Sequence, residues 1–155
     1  DGTVTAANSS SISDGASALV LMNESTASAR GVTPMARILG HSTHSRDPAE
    51  FTIAPIDAVS ALLQKVGWNT DDVDLFEVNE AFAMVTMLAT RELGLDPEKV
   101  NIHGGACAQG HPIGSTGSRI IVSLMYALRK IGRRRGIASL CIGGGEATAV
   151  AIEMI

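Results

Sequence analysis

Aromatic side chains and cysteines are scarce in this chain. Phe, Trp and Tyr make up 3% of its 155 residues, so aliphatic side chains must fill the interior. The two cysteines, Cys107 and Cys141, are too few for a disulfide scaffold, and we expect a reducing, cytoplasmic compartment. His41, His44 and His103 stand at no ligand-like spacing from a cysteine or an acid, which argues against a zinc site and predicts no bound metal.

Long apolar runs and an excess of positive charge are missing as well. No apolar run reaches membrane-spanning length, so we expect no membrane insertion. The formal charge of −4 argues against a general nucleic-acid surface. The one cationic run, Arg133–Arg135, follows a helix pattern, where positive charge is favourable. Residues 1–3 resemble no signal peptide and include no initiator methionine, so we expect a fragment or a processed piece.

Strand and helix patterns alternate from about residue 36 onward. The predicted strands cover residues 36–44, 73–78, 100–103, 137–142 and 147–155, and the predicted helices cover 55–66, 81–93 and 116–131. This alternation predicts an α/β fold with a mostly parallel sheet covered by helices. The last connection is only a few residues long, so the fifth strand should run antiparallel to the fourth. A hydrophobic content of 45% is sufficient for one domain with its own core.

The first 35 residues follow a different pattern. Residues 1–15 are small and polar and are predicted to form a loop, while the apolar run 16–22 has the length of a buried strand. A short helix is predicted over 24–29. We predict a domain boundary near residue 34, where a proline closes this part of the chain.

Five glycines, a proline and two histidines crowd the stretch Asn101–Arg119. Such a glycine density permits positive φ angles, lets a ligand approach the backbone closely and argues against a helix in this loop. His111 could donate a hydrogen bond to a developing oxyanion or accept a proton. It could equally be an ordinary loop histidine bonded to the backbone.

Two further motifs stand at predicted strand ends. Asn79 either caps the following helix or positions a water or a carbonyl. Cys141 is either a small buried hydrophobe or, as a thiolate, a base or nucleophile. The glycines at 143–145 suit a tight turn and could also offer N–H groups to an oxyanion. Ligands of open α/β sheets gather at the carboxyl ends of the strands, so we expect Asn79, Cys141 and the loop 104–114 to share a site.

Taken together, these motifs resemble the thiolase family of acetyl-CoA acetyltransferases and 3-ketoacyl-CoA thiolases. Asn79–Phe82 (Asn-Glu-Ala-Phe), Gly104–Gly114 (Gly-Gly-Ala-Cys-Ala-Gln-Gly-His-Pro-Ile-Gly) and Cys141–Gly145 (Cys-Ile-Gly-Gly-Gly) occur in the family's order and at its spacing. Thr5–Ser10 and Asp14–Ala16 resemble the segment before the family's last domain. The resemblance covers essentially the whole chain, and the ordered set is more specific than any one motif.

The resemblance implies a three-layer fold in which a five-stranded, mostly parallel sheet with an antiparallel last strand carries helices on both faces. Residues 1–34 would be the tail end of the preceding thiolase domain, and 35–155 the C-terminal domain. Family enzymes join two acyl-CoA thioesters by Claisen condensation or cleave the 3-ketoacyl product, with coenzyme A thioesters as substrates and no cofactor. The implied partners are acyl-CoA and CoA, the N-terminal thiolase half in the same chain or as a separate subunit, and further copies in a homo-oligomer.

Four residues match catalytic positions of the family. Cys141 would remove a proton from the α-carbon of a thioester, and His111 would activate the nucleophile and help hold the enolate oxygen. Asn79 would hold a water that completes this oxyanion hole, and the N–H of Gly143 would belong to the hole of the acyl-enzyme step. A proton α to a thioester is very weakly acidic, so the enolate must be stabilised by donors that are fixed beforehand.

Two other residues match substrate contacts, and some positions depart from the family pattern. Ser10 matches a serine that touches the pantetheine arm of CoA, and Phe82 matches a residue that lines the acyl pocket. Gln109 stands where an aliphatic residue is usual, and Glu146 replaces a methionine or glycine. Nothing before residue 36 matches the motif of the acyl-accepting cysteine, so we expect this segment to be inactive by itself.

Two alternatives stay open. A non-catalytic thiolase-like domain that binds acyl-CoA or a partner protein is consistent with the departures at Gln109 and Glu146. A related condensing enzyme could instead use Cys107 as its nucleophile, although that position suits packing.

Overall fold

The computed structural model describes residues 2–155 and contains a four-stranded sheet. Its strands are β1 (Ala36–Ser45), β2 (Leu75–Val78), β3 (Arg135–Ile142) and β4 (Glu146–Met154), in the order β1-β4-β3-β2. β2 and β3 are parallel, whereas β4 is antiparallel to both β3 and β1. β1, β2 and β3 therefore run in one direction, and β4 lies between β1 and β3 and runs in the opposite direction. The predicted antiparallel last strand is confirmed.

The helices lie between and around these strands. They are α1 (Glu24–Ala29), α2 (Ala54–Val66), α3 (Ala83–Glu92), α4 (Ala106–Gln109) and α5 (Thr116–Ile131). Single 3-10 turns cover Ala6–Asn8, Pro48–Glu50, Thr70–Asp72 and Pro97–Lys99. α2 and α5 each end at a left-handed glycine, and α5 has the bounds that its apolar stripe predicts. In the described part of the chain, no helix combines the length and apolar character needed to cross a bilayer.

Helices cover both faces of the sheet, which confirms the predicted three-layer architecture. On one face, Ala147, Ala149 and Ala151 of β4 pack in a cluster with apolar side chains of α2 and α3. On the other face, Ile152 and Met154 of the same strand pack with α5. The alternation follows from the two-residue period of a strand, and the alanines let α2 lie close to the sheet.

The predicted strand over 100–103 is wrong, so the sheet has four strands rather than five. Val100 makes one parallel bridge to Phe76, and the chain then turns at Asn101, whose φ is +48°. The Asn101 side chain takes over the pairing: its Oδ1 accepts from the Val78 N–H and its Nδ2 donates to the Val78 carbonyl, both at 2.8 Å. Asn tolerates the left-handed region and its amide mimics a peptide, so a side chain replaces the edge strand.

Two other predictions differ from the structure. The apolar run 16–22 forms no strand, and Val20 and Leu21 are 86% and 65% exposed, because no strand within residues 2–155 pairs with them. The glycine-rich loop holds one helical turn, α4, although its glycines argue against a helix. These glycines lie outside the turn, since Gly105 and Gly110 are its two cap positions. The boundary predicted near residue 34 falls in the link between α1 and β1 and stays a prediction.

Candidate active site

Asn79 lies at the carboxyl end of β2 and is 2% exposed. Its backbone N–H donates to the Ser139 carbonyl of β3 at 2.9 Å. Neither the amide oxygen nor the amide nitrogen of its side chain has a hydrogen-bond partner among the residues described. The interpretation of Asn79 as a helix cap is therefore wrong: α3 begins four residues later, with Phe82 at its N-cap. A buried carboxamide with both ends unpaired is rare, because burying a polar group without a partner is costly.

His111 is held by its backbone and by its ring. Its N–H donates to the Ser11 carbonyl at 2.8 Å, and its Nδ1 lies 2.7 Å from the hydroxyl oxygen of Thr116. We assign the one hydrogen of the Thr116 hydroxyl to the Pro112 carbonyl, 3.0 Å away, so that the hydroxyl oxygen accepts from Nδ1–H. This assigned tautomer leaves a free lone pair on Nε2. The ring is not the backbone-bonded loop histidine that was the alternative.

The surroundings of His111 favour its neutral form. Burial lowers the pKa of the imidazole, and the nearby guanidinium of Arg119 lowers it further. A neutral imidazole with an unpaired Nε2 can accept a proton. Once protonated, the same nitrogen can donate to an oxyanion.

A segment near the start of the chain joins His111 to the residues after β2. Ser9 forms an isolated antiparallel β-bridge with Phe82, and Ile12 forms a parallel one with His111. Gly110 makes this approach possible, because its φ is +90° and a Cβ there would lie 2.3 Å from the Ser13 hydroxyl. The segment thus places the loop that carries His111 beside the loop that follows Asn79.

Ser10 and Phe82, the predicted substrate contacts, lie on this same connection. The N–H and the hydroxyl of Ser10 both donate to the Ala81 carbonyl, at 3.1 and 2.9 Å. Phe82 packs edge-on against Phe51, with 6.0 Å between ring centroids. Both residues therefore have structural contacts of their own, and their roles towards CoA and an acyl chain stay predictions.

Cys141 is the second-last residue of β3 and lies on the same sheet edge as Asn79. Val78 pairs with Ser139 in the parallel β2–β3 register, and Asn79 and Cys141 follow these two residues at the carboxyl ends of their strands. The thiol is free and buried within the apolar cluster of α2 and α3. Burial raises its pKa, so it rests as a neutral thiol. Both interpretations of Cys141, as packing and as a base, are consistent with this position.

The turn that follows Cys141 contains Gly143, Gly144 and Gly145 and joins β3 to β4. Gly143 and Gly144 are exposed, and a Cβ at either position would meet no atom within 4 Å. A side chain at either position would therefore point into open space. The role of the Gly143 N–H stays a prediction.

Several side chains around the site were not singled out from the sequence. Thr116, the partner of His111, is one; a hydroxyl five residues after a histidine at a helix start is the signal that could have found it. Glu80 is another: its Oε2 accepts from the Cys107 N–H at 3.1 Å. Burial and then Glu80 raise the pKa of the Cys107 thiol, which disfavours this cysteine as a nucleophile.

A buried acid lies on β2, two residues before Asn79. Burial raises the pKa of Glu77 to about 7; Arg119 opposes this rise and Glu80 adds to it. Arg119 also donates from Nη1 to the Gln109 amide oxygen at 2.9 Å, and the Gln109 amide nitrogen donates to the His103 carbonyl at 2.8 Å. The polar Gln109 thus links the glycine-rich loop to α5.

Glu146, the second departure, is an exposed residue at the start of β4. Across residues 2–155, no three His, Cys, Asp or Glu side chains form a group that could hold a metal ion.

The family described as "Thiolase, C-terminal domain" matches residues 32–154, and "Thiolase, N-terminal domain" matches residues 1–25. The cytosolic acetyl-CoA acetyltransferase of Mus musculus is 49% identical over 152 residues, which are 98% of this chain and 38% of the mouse protein. The acetyl-CoA acetyltransferase of Escherichia coli K12 is 48% identical over 154 residues, covering 99% of this chain and 39% of its own length.

Solved structures give the same result. The crystal structure of the Bacillus anthracis acetyl-CoA acetyltransferase superposes with a TM-score of 0.97 at 48% identity, over 99% of this chain and 39% of that one. The Acat5 thiolase from Ascaris suum, solved in complex with coenzyme A, superposes with a TM-score of 0.89 at 39% identity, over 99% and 40% of the two chains. The chain thus spans about two fifths of the length of these relatives. It belongs to the thiolase family.

Proposed function

We propose that this chain is the C-terminal catalytic portion of a thiolase that transfers acyl groups between coenzyme A thioesters. The reaction is the Claisen condensation of two acyl-CoA molecules or the reverse, thiolytic cleavage of a 3-ketoacyl-CoA. Two acyltransferases, from mouse and Escherichia coli, are 49% and 48% identical over nearly all of this chain, and a structural relative was solved with coenzyme A. These likenesses support the reaction class and the substrate class.

In this proposal, Cys141 takes the α-proton of one thioester, and the enolate oxygen is held by His111 and by a water on Asn79. The Gly143 N–H stabilises the oxyanion of the acyl-enzyme step. Burial keeps this thiol protonated at rest. In the proposal its proton passes to the coenzyme A thiolate that leaves when the acyl-enzyme forms, and the Cys141 thiolate produced in this way then accepts the α-proton.

The buried, unpaired carboxamide of Asn79 is the single observation that carries a catalytic role for this edge of the sheet. A residue needed only for packing would be more stable as an apolar side chain of the same size. An amide kept there with both ends free supports binding of a water or a substrate group. Its position beside the carboxyl end of β3 places it on the edge that carries Cys141.

The proposed enzyme requires the N-terminal thiolase half, either in the same chain or as a separate subunit. That half supplies the cysteine that accepts the acyl group, and the exposed side chains of Val20 and Leu21 are proposed to pack against it. A homo-oligomer is part of the proposal, as is a cytoplasmic location, which suits the two free thiols. Coenzyme A thioesters are substrates here, and no further cofactor is proposed.

The test is exchange of the acetyl-CoA α-protons with deuterated water, together with condensation, in enzyme assembled with the N-terminal half. Cys141→Ala should remove both activities, and Cys107→Ala should retain them. Binding of coenzyme A without exchange or turnover in the unsubstituted protein would instead support a non-catalytic acyl-CoA-binding domain. The departures at Gln109 and Glu146 are the observations that favour this second function.

A further inference from the structure

The glycine turn between β3 and β4, residues 143–145, closes a hairpin whose last pair is Ile142 and Glu146, and it makes one further contact at Gly145. Gly145 is buried, and its carbonyl accepts from the Arg46 N–H at 2.9 Å. Its φ is +92°, and a Cβ there would lie 2.3 Å from the Arg46 carbonyl oxygen. The backbone of Gly145 therefore packs directly against residue 46, whereas a Cβ at Gly143 or Gly144 would point into open space. The turn itself contains no side chain that could hold it in place.

Arg46 is in turn fixed by side chains of the neighbouring helical segments. Its Nε donates to Oδ2 of Asp57, and its Nη1 lies 3.6 Å from Oε2 of Glu50. Nε2 of His44 lies 3.5 Å from the same Asp57 oxygen. The carboxylate of Asp57 is the main cause of a raised pKa of Arg46, and the guanidinium is the main cause of a lowered pKa of Asp57. Both groups are therefore charged at neutral pH, and they form an ion pair.

Asp57 gives this pair a rigid base. It lies in the first turn of α2, and the buried face of that helix packs on the alanines of β4. The side chain of Asp57 on α2 thus binds the side chain of Arg46, which directly follows β1. The backbone N–H of Arg46 in turn binds the carbonyl of Gly145. Each of these steps is a hydrogen bond between described atoms.

We propose that Arg46 and Asp57 are a positioning pair that sets the place of the glycine turn and, through it, the Gly143 N–H. The catalytic role of this N–H rests on the proposed function, whereas the positioning of the turn does not. A backbone donor stabilises an oxyanion only when it is already in position as charge develops. The ladder pair of Ile142 and Glu146 holds the base of the turn, and the tie at Gly145 adds the contact to residue 46 on which its finer placement depends.

The first test measures local opening of the turn and does not depend on enzymatic activity. Hydrogen exchange is followed by mass spectrometry in peptides covering residues 142–147, in protein assembled with the N-terminal half. Arg46→Gln and Asp57→Asn should each speed exchange in these peptides by about two- to fivefold, the factor that loss of a partly exposed ion pair produces locally. Exchange in α3 and α5 should stay unchanged, because neither helix carries a substituted residue.

A second ion pair of the same kind provides the control. Arg37 donates from Nη2 to Oε1 of Glu24 at 2.6 Å and so joins β1 to a helix, at the opposite end of that strand from Arg46. Arg37→Gln and Glu24→Gln remove this more exposed pair on the same strand and should leave exchange at residues 142–147 unchanged. Equal rates in the Arg46, Arg37 and unsubstituted proteins would overturn the proposal, as would an equal acceleration in both variants.

The second test separates positioning from substrate binding. Arg46→Gln should lower kcat of condensation by about two- to fivefold and leave KM for acetyl-CoA within about twofold, because the lost interaction matters in the transition state. Unchanged kcat beside faster exchange would overturn the catalytic part of the inference. If the unsubstituted protein shows no turnover at all, the proposed function fails, and the exchange result alone decides whether the pair positions the turn.

Discussion

Nδ1 of His111 lies 2.7 Å from the hydroxyl oxygen of Thr116, whose own hydrogen is donated to the Pro112 carbonyl. The threonine is fully buried at the start of α5, so water does not compete for this contact. One ring nitrogen is thereby kept protonated, and the other is left free for a reacting group. The role proposed for His111 depends on this arrangement, and the first prediction tests it.

Thr116→Val should lower kcat by about three- to tenfold, the effect of losing one net hydrogen bond that orients a ring. Valine has the shape of threonine and lacks the oxygen that accepts from Nδ1–H. Nitrogen NMR of the His111 ring should show a loss of the single tautomer. Thr116→Ser keeps the oxygen and serves as the control. A single tautomer in the valine variant would contradict the assignment.

Cys141→Ala or Cys141→Ser should reduce condensation by about 10²–10⁴-fold, the range for removing a general acid–base group. The reason is that no other thiol described at this sheet edge can take the α-proton. Steady-state kinetics in protein assembled with the N-terminal half measures the loss. Cys107→Ala is the matched control, since that thiol contacts Glu80 rather than the strand end. An unaltered rate in Cys141→Ala would show that the assigned base is wrong.

His111→Ala should cost more activity than Asn79→Ala. Loss of the imidazole removes a direct oxyanion donor, worth about 10²–10³-fold. Loss of the carboxamide should cost less, about tenfold, because a water can partly persist in the space that the side chain leaves. The two kcat values are compared under identical conditions. The reverse ranking would mean that Asn79, and not His111, contacts the reacting oxygen.

Glu77→Gln should make the protein more stable above pH 7. The pKa of the buried carboxyl is about 7 in the folded protein, above its ordinary value of 4.5, so the folded state holds more protons between these two values. Unfolding free energy therefore falls as pH rises through this window, by a total on the order of 3 kcal/mol. The Glu77→Gln variant should not show this decrease in unfolding free energy. Its stability should match that of the parent protein only at the acid end of the window.

Urea denaturation across the same pH window measures this effect. The exposed Glu98→Gln is its control, because it makes the same change of side chain on the surface. Arg119 and Glu80 are the charged groups that act on Glu77, so their own variants should shift the profile. Parallel profiles for Glu77→Gln and the parent would refute a buried, titrating carboxyl.

Val20→Asn together with Leu21→Asn should weaken binding of the N-terminal half. The two side chains are the most exposed part of an apolar run, and burying an apolar side chain is worth about 1.5–3 kcal/mol. Size-exclusion chromatography with light scattering measures assembly of the two parts. Met87→Asn, an exposed apolar side chain on α3, should leave it intact. If all these variants assemble normally, the partner packs elsewhere.

Helices and strands whose ends are marked by local residue types were predictable from the sequence. α5 spans 116–131 as predicted, because its apolar stripe and Gly132 define it without reference to the rest of the fold. The antiparallel course of β4 follows from a connection too short for a crossover. The thiolase family also follows from three motifs in order, since their spacing carries information that no single motif has.

Features that depend on distant partners could not be predicted. The failed strand at 100–103 looks like a strand in its side-chain pattern, and only the structure shows the Asn101 side chain taking its place beside Val78. The run 16–22 has an apolar composition suited to burial, but composition does not say against which surface. Thr116 was missed for a similar reason: its contact with His111 depends on the shape of the turn between them. The catalytic and substrate roles of the site residues stay predictions.

The middle position of β4 also has a consequence for how the protein is made. β1 pairs in the sheet only with β4, so it has no neighbour until residues 146–154 have left the ribosome. More than a hundred residues separate each β1 residue from its partner in β4, so the sheet stays incomplete while they are synthesised. During this time the apolar faces of the sheet remain exposed. We therefore expect newly synthesised chains to depend on chaperones until translation has passed β4.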